Sequence, residues 1–324
     1  MAIPQTSLHP SGPNFGVYPG HEGIRPADHD AILAFLSWLS RKSPKTRSTY
    51  REAIAMLAGF TAERGMPLLE DLAREHLETF FNWLHARGNA PATVRNRQAS
   101  LRSFYNWAVE FDVRKDHPMQ RIRLEHLPDK LQPDYKPDEL ARVLAAIKGN
   151  DVLALRDRAI IWALFDTGLR AAELCDLRIG DRDTQGKILT VRHGKGDKQR
   201  RVPYGDGTVA LLYKYLHKRS DGSTAEAPLF AQRSGEPMTF NGLRTMLERR
   251  FKAAGVAFHG VHGFRRAFAI AHLDGGGDAL NLKELAGWNS LAMVYKYVRA
   301  SAQERALREY RSPADRLLER GRKT

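Results

Sequence analysis

A polar segment punctuated by prolines divides this chain into two parts. Between Asp116 and Pro137 prolines recur and no helical or strand periodicity is visible, whereas apolar patterns precede and follow this stretch. Such composition is typical of the exposed segments that join domains. We therefore predict domains over residues 28–118 and 137–324, joined by a linker over 119–136. With 324 residues, the chain is long enough for a hydrophobic core in each.

The first domain is predicted to be entirely helical. Residues 1–27 contain five prolines and no apolar periodicity, which predicts a flexible N-terminal arm. Four helical patterns follow it. In the third of them Leu77, Phe80, Phe81 and Leu84 recur at the spacing of one helix face, so that face should be buried against the other helices.

The second domain is predicted to be mainly helical with a small sheet. Two strands are expected, over 187–193 and 199–204, with a glycine-containing hairpin turn between them. Helices are expected over about 137–148, 152–167, 171–177, 208–218, 240–254, 265–272, 282–286 and 302–311, followed by a short last helix in the C-terminal tail. The predicted fold class is mainly α with a small β-sheet.

Charge and composition limit the function. Lys and Arg number 51 against 37 Asp and Glu, which gives a formal net charge of +14 and favours a polyanionic partner. The longest uncharged apolar run, 159–165, is far shorter than the ~20 residues that cross a bilayer, and the N-terminus lacks a secretion signal. We expect a cytoplasmic, nucleoid-associated protein without a membrane partner. The single cysteine, Cys175, excludes an intrachain disulfide and a thiolate metal cluster.

Four separated segments carry polar side chains that a structural core seldom needs. Each has an ordinary interpretation when it is taken alone. Arg170 suits a helix cap or a salt bridge with Glu173, and His262 suits a core histidine. Lys195 suits a solvated turn, and Tyr297 suits a core aromatic on its helix.

Taken together and in this order, the four segments resemble the active-site motifs of the tyrosine recombinases, or phage integrases. Arg170 and Glu173 lie in TGLRAAEL, and Lys195 lies in HGKGDKQRRVPY. His262 and Arg265 lie in HGFRRAFA. The resemblance covers nearly the whole chain from about residue 28. It implies an N-terminal helical core-binding domain that clamps DNA and a C-terminal α+β catalytic domain.

The last motif supplies the nucleophile that the resemblance implies. In LAGWNSLAMVYKYVR, Tyr297 follows Trp288 by nine residues, which is the spacing that the family uses, and Tyr295 is a near decoy. A tryptophan at this place is more like the Cre type than the Xer type. The implied catalytic residues are Arg170, Lys195, His262, Arg265, Trp288 and Tyr297, with Glu173 in support.

The residue types suit transfer of a DNA phosphodiester to tyrosine. Guanidinium groups match the negative charge that the non-bridging oxygens gain in the transition state. A lysine with a lowered pKa is able to protonate the leaving 5′ oxygen. The covalent 3′-phosphotyrosine keeps the bond energy, so rejoining needs neither a cofactor nor ATP.

The partner that the resemblance implies is double-stranded DNA with paired inverted half-sites, bound by a homotetramer. We expect phosphate or base contacts from seven basic residues, namely Arg95, Arg97, Arg102, Lys198, Arg200, Arg201 and Arg244. For any single one of them, a solvated charged face is the alternative interpretation.

Three other functions compete with this hypothesis. Metal-dependent cleavage has little support, because the chain offers Asp181 and Asp183 and little else as carboxylate ligands, and His259, His262 and His272 lack a thiolate partner. We expect no metal site. A type IB topoisomerase would share the chemistry but would relax supercoils without sequence preference. A catalytically idle DNA-binding regulator would share only the basic surface.

Overall fold

A computed structural model describes residues 23–127, 133–192, 199–219, 224–295, 306–307 and 310. The chain divides into two compact units, with the division between residues 129 and 130. In the first unit the helices are α1 Pro26–Trp38, α2 Pro44–Glu63, α3 Arg74–Ala86 and α4 Pro91–Glu110, with 3₁₀ turns at Leu39–Arg41 and Leu69–Asp71. In the second unit the helices are α5 Pro137–Ala146, α6 Val152–Thr167, α7 Ala171–Asp176, α8 Asp206–Lys218, α9 Phe240–Ala253, α10 His262–Asp274 and α11 Ala279–Ala286, and the strands are β1 Arg182–Asp183, β2 Ile188–Val191 and β3 Arg200–Pro203. The predicted fold class, mainly α with a small sheet, is confirmed.

Buried helix faces hold the first unit together. The predicted face of α3 is buried at all four positions, from Leu77 to Leu84. Helix α2 begins at Pro44 because the Ser43 hydroxyl accepts a hydrogen bond from the Thr46 amide at 3.2 Å, a cap of the ordinary N-terminal kind.

The first unit extends beyond the predicted domain boundaries at both ends. Arg25, at the end of the predicted arm, donates to the Pro67 carbonyl at 2.7 Å. In the predicted linker, Met119 and Ile122 are buried in the core of this unit. Their burial explains why the segment packs on the helices instead of remaining exposed, since apolar side chains of this size favour removal from water.

The second unit is built around α6, whose apolar residues are buried against several neighbouring helices. The sheet is antiparallel in the order β1-β2-β3, and Val191 at the end of β2 pairs with Arg200 at the start of β3. Strand β1 was not predicted, since two residues are too few to display a strand periodicity. No helix of the described ranges is long and apolar enough to span a bilayer.

Helices α10 and α11 begin three residues earlier than predicted. The reason is clear at α11, where the Asp278 carboxylate accepts from the amides of Leu280 and Asn281 at 2.7 and 3.0 Å and so caps the helix. The early start of α10 places His262 and Arg265 together in its first turn.

Candidate active site

Arg170 and Glu173 occupy the first turn of α7. Glu173 Oε2 accepts from the Arg170 amide at 2.8 Å, and its Oε1 accepts from Arg170 Nη1 at 2.7 Å. The Arg170 side chain is 25% exposed, whereas that of Glu173 is 3% exposed. The buried carboxylate therefore holds an arginine whose side chain is partly exposed to solvent.

Arg265 is buried where α6 ends. Its Nη1 donates to the Gly168 carbonyl at 2.7 Å, and its guanidinium carbon lies 5.0 Å from the centroid of the Trp288 ring. Gly168 has φ +59°, and a Cβ on it would lie 2.3 Å from the Phe268 ring. Only glycine fits this turn, because an L side chain is strained there and the ring occupies its space.

The C-terminal end of α11 brings three arginines together. Its last carbonyls have no partner within the helix and carry the negative end of the helix dipole. Three of them accept from guanidinium groups: Leu285 O from Arg200 Nε at 3.1 Å, Ala286 O from Arg265 Nη2, and Gly287 O from Arg170 Nη2 at 3.2 Å. Both predicted catalytic arginines are thus anchored on one helix end, directly before Trp288.

Among the described residues, Glu173 is the one carboxylate that accepts hydrogen bonds from both Arg170 and Arg200. Arg200 Nη1 donates to Oε1 and Nη2 donates to Oε2, each at 2.7 Å. Burial, the largest single effect, raises the pKa of Glu173, but the hydrogen bonds and charges of Arg200 and Arg170 outweigh it and hold the pKa at about 2. The carboxylate is therefore ionised at neutral pH.

Trp288 is buried and His262 is exposed. Trp288 follows Gly287, which ends α11 with φ +62°, and its amide donates to the Lys283 carbonyl at 3.0 Å. His262 begins α10 one turn before Arg265. The structure therefore groups Arg170, Glu173, Arg265 and Trp288 through direct contacts, with His262 on the same helix turn as Arg265.

Tyr135 and Arg266 fix the start of α10, a role that the sequence did not reveal. The Tyr135 hydroxyl donates to the Gly260 carbonyl at 3.0 Å and accepts from the His259 amide at 2.8 Å. Burial raises the pKa of this hydroxyl, so it stays protonated and able to donate. Arg266 Nε donates to the Pro133 carbonyl at 2.8 Å. Both contacts involve residues of the predicted linker, where no periodicity pointed to them.

The remaining catalytic candidates, Lys195 and Tyr297, lie outside the described residues, as does Lys198. Tyr295, the decoy, is 59% exposed. Within the described ranges, no three His, Cys, Asp or Glu side chains come close enough together to hold a metal ion.

The predicted DNA contacts of the first unit also hold the protein together. Arg95 Nη1 donates to the Glu125 carbonyl at 2.5 Å, and Arg97 Nη1 donates to Asn89 Oδ1 at 2.6 Å. Arg102 Nη2 donates to the Ile122 carbonyl. Arg95 and Arg102 thereby tie residues 119–125 to α4.

Of the four predicted contacts of the second unit, the three that lie within the described residues differ in exposure. Arg201 is exposed, and Arg244 is 61% exposed and pairs with Glu248 one turn away at 2.8 Å. Arg200 is only 11% exposed and is bound to Glu173, which the sequence did not predict. Adjacent strand residues point to opposite faces, but the sequence alone does not say which of Arg200 and Arg201 faces inward.

Known proteins match both units. The model of the phage integrase family matches residues 134–304, and that of the phage integrase N-terminal SAM-like domain matches residues 30–115. Tyrosine recombinase XerC of Xanthomonas campestris pv. campestris strain B100 is 30% identical over 306 residues, which cover 94% of each chain. Tyrosine recombinase XerC of Mycobacterium sp. strain JLS is 33% identical over 296 residues, or 88% of this chain and 98% of that one.

The fold is also that of a solved recombinase. The XerH site-specific recombinase, in a post-cleavage complex with a palindromic difH substrate, superposes with a TM-score of 0.69 and 20% identity over 85% of this chain and 82% of that one. The family models, the curated relatives and the geometry agree, and the chain belongs to the phage integrase family of site-specific tyrosine recombinases.

Proposed function

We propose that this recombinase cleaves duplex DNA by attack of the Tyr297 hydroxyl oxygen on a phosphodiester. The tyrosine O–P bond forms as the P–O5′ bond breaks, which leaves a 3′-phosphotyrosine and a 5′-hydroxyl. A 5′-hydroxyl from a second strand reverses the step and rejoins DNA. The observation that carries this proposal is the anchoring of Arg170 and Arg265 on adjacent carbonyls of one helix end, directly before Trp288 in the motif that contains Tyr297.

The anchored arginines suit a phosphate in the transition state. Donors that are held in place before the reaction stabilise developing charge without a cost of reorganisation. The contacts of Arg265 with Gly168 and Trp288 and those of Arg170 with Glu173 and Gly287 supply this preorganisation. The two guanidinium groups would neutralise the charge on the non-bridging oxygens.

Three further residues complete the proposed chemistry. Lys195 would protonate the leaving 5′ oxygen as general acid. His262, exposed at the start of α10, would donate a hydrogen bond to the phosphate. The Trp288 indole donates but exchanges no proton, so its role would be to pack on Arg265 and to offer one hydrogen bond.

The proposed chemistry needs neither a metal ion nor ATP. The phosphotyrosine retains the energy of the phosphodiester, so the rejoining step is the reverse of cleavage. Formation of the covalent adduct should continue in excess EDTA. Loss of the adduct with EDTA and its return with Mg²⁺ would refute this part of the proposal.

We further propose that a homotetramer acts on paired inverted half-sites. Exchange between two duplexes requires four strand cleavages, and one tyrosine per protomer then calls for four protomers. The palindromic substrate of XerH supports the inverted arrangement. The mass of the complex with DNA, measured by light scattering, tests the number of protomers: a complex that recombines DNA with only two protomers would contradict the tetramer.

The nucleophile is tested by two tyrosine variants. Duplexes that the wild-type protein selects by binding from a random-sequence pool serve as labelled substrates, and denaturing gels detect the covalent adduct. Tyr297→Phe should bind these duplexes with wild-type affinity and form no adduct. Tyr295→Phe is the matched control, because it removes the same hydroxyl two residues away at an exposed position, and it should retain adduct formation. The reverse result would assign the nucleophile to Tyr295, and an adduct with both variants would refute both assignments.

A further inference from the structure

We infer that Arg200 is a positioning residue for the catalytic arginines, acting through Glu173 and the end of α11, and that it does not contact DNA. This inference rests on the proposed function of the site. Arg200 begins β3, and each of its three guanidinium nitrogens donates a hydrogen bond within the protein. Two of these bonds go to Glu173 and the third goes to the Leu285 carbonyl.

The geometry of Arg200 excludes the phosphate contact that its sequence position suggests. Its side chain is 11% exposed, and the fork that would grip a phosphate grips the Glu173 carboxylate instead. Its neighbour Arg201 lies on the opposite face of β3 and is exposed. Arg201 therefore offers a matched comparison: the same charge on the same strand, free of the Glu173 contact.

Arg200 acts on Arg170 through a shared oxygen. Glu173 Oε1 accepts from both Arg170 Nη1 and Arg200 Nη1, each at 2.7 Å. A carboxylate held by one fork keeps a single orientation, because two parallel N–H···O bonds define its plane. Without Arg200, Glu173 is free to turn with Arg170, and the guanidinium is no longer held where the phosphate needs it.

Arg200 also supports the segment that leads to Trp288. Its Nε binds the Leu285 carbonyl, and a Cβ on Gly287 would lie 3.0 Å from Arg200 Cδ. Gly287 in turn provides the carbonyl that accepts from Arg170. One largely buried side chain on β3 therefore contacts α7 and the end of α11, two of the elements that carry the proposed catalytic groups.

The first test separates positioning from DNA contact. With Arg200→Ala and Arg200→Lys, the single-turnover rate of adduct formation at saturating selected duplex should fall by up to about 10²-fold, the effect of a misplacement of roughly 1 Å. The Kd for the duplex should stay within about threefold, and the slope of log K against log salt should not change. Lysine keeps the charge but lacks the fork, so Arg200→Lys should be nearly as slow as Arg200→Ala.

Arg201→Ala is the control for loss of charge. If Arg201 contacts a phosphate, this variant weakens binding and makes the salt slope less steep by about 0.9. The two neighbours should thus show opposite defects, in rate for Arg200 and in affinity for Arg201. An Arg200 variant with the defect in affinity and salt slope, and a normal rate at saturation, would overturn the inference.

The pH profile shows whether Arg200 acts through Glu173. Glu173 is buried and faces Arg170 and Arg200, and it lines a small cavity with Asp176, Asp181 and Arg192. Loss of Arg200 removes the hydrogen bonds that lower the pKa of Glu173 most, while burial continues to raise it.

The adduct rate of Arg200→Ala should therefore fall with decreasing pH at a higher midpoint than that of the wild type. The double variant Arg200→Ala, Glu173→Gln has no carboxylate to protonate and should lose this dependence. A merely structural role for Arg200 would slow the rate without moving the profile, and an unchanged profile would overturn the inference.

A DNA strand with sulfur in place of the bridging 5′ oxygen provides the last test. A 5′-thiolate leaves without a proton, so it compensates only for defects in the general acid. The defect of Arg200→Ala should persist on this strand, because Arg170 stabilises the non-bridging oxygens, and recovery would show that Arg200 acts on the leaving group instead. If Arg200→Lys formed the adduct at the wild-type rate, this inference alone would be overturned. If the wild-type protein formed no adduct that depends on Tyr297, the proposed function itself would be refuted.

Discussion

Gly168→Ala should damage both stability and catalysis through a single methyl group. Gly168 ends α6 in the left-handed conformation, with φ +59°, and a Cβ at this position would lie 2.3 Å from the Phe268 ring. Phe268 follows Arg265 by three residues on α10, and the Gly168 carbonyl accepts from Arg265 Nη1. A displaced Phe268 ring or a displaced turn at Gly168 would therefore move Arg265, one of the proposed catalytic residues, directly.

The loss of folding free energy in Gly168→Ala has two parts, and a variant at a second glycine separates them. Alanine in the left-handed region costs roughly 1–2 kcal/mol, and an extra methyl in a packed core costs roughly 1–3 kcal/mol more. Gly255 lies in the same unit with φ +65°, and nothing lies within 4 Å of its Cβ position. Gly255→Ala should therefore lose only the first part, and Gly168→Ala should lose both, about 2–5 kcal/mol of the free energy of unfolding.

Hydrogen exchange under increasing urea, followed at the amides of α6 and α10, measures the stability of this unit separately. Gly168→Ala should also slow adduct formation, whereas Gly255→Ala should not. Phe268→Leu in the Gly168→Ala background should recover part of both losses, because it removes the ring atoms nearest to the new methyl. Equal costs for the two glycine variants, or no recovery with the smaller side chain, would refute the steric reasoning.

Three further predictions concern charge. Lys195→Ala should lose about 10²–10⁴-fold in cleavage of normal DNA and recover on a strand with a bridging 5′ sulfur, because a thiol pKa of about 8.5 lets the group leave unprotonated; an equal defect on both strands would remove Lys195 as the general acid. DNA affinity should fall steeply with salt, by about 0.9 in log K per unit of log salt for each phosphate contact, and a slope near zero would contradict the basic clamp. Because the pKa of Glu173 is lowered to about 2 in the folded protein, its contribution to stability is present above pH ~4.5 and is lost as the pH falls towards 2, on the order of 3 kcal/mol. Glu173→Gln should flatten that part of an unfolding curve against pH, and an unchanged curve would show that the carboxylate is not held as described.

Local sequence patterns determined the helices, most of their ends and the order of the motifs. The apolar face of α3 and the cap at Ser43 depend on residues within one or two turns, so the sequence alone predicts them. The unpredicted features were those with weak local signals. Strand β1 is two residues long, and the 119–127 segment has no periodicity although Met119 and Ile122 are buried.

The motif residues of the site were identifiable from the sequence, but their partners were not. In TGLRAAEL the pairing of Arg170 with Glu173 is local, three residues apart, and was one of the two interpretations open from the start. At the end of α11, Leu285 O and Gly287 O lie 85 and 117 residues from the arginines that bind them. At the end of α6, Gly168 O lies 97 residues from Arg265. No periodicity reports contacts at such separations.

Arg200 shows most clearly what tertiary structure alone decided. The local sequence places two arginines, Arg200 and Arg201, side by side in a basic strand. This pattern is equally compatible with a contact to DNA and with an ion pair inside the protein. The choice depends on which face of β3 meets Glu173 and α11, and that is set by the packing of elements distant in sequence. A guanidinium binds any carboxylate, carbonyl or phosphate that packing brings within reach, so the sequence determines which groups are available and the fold determines which of them meet.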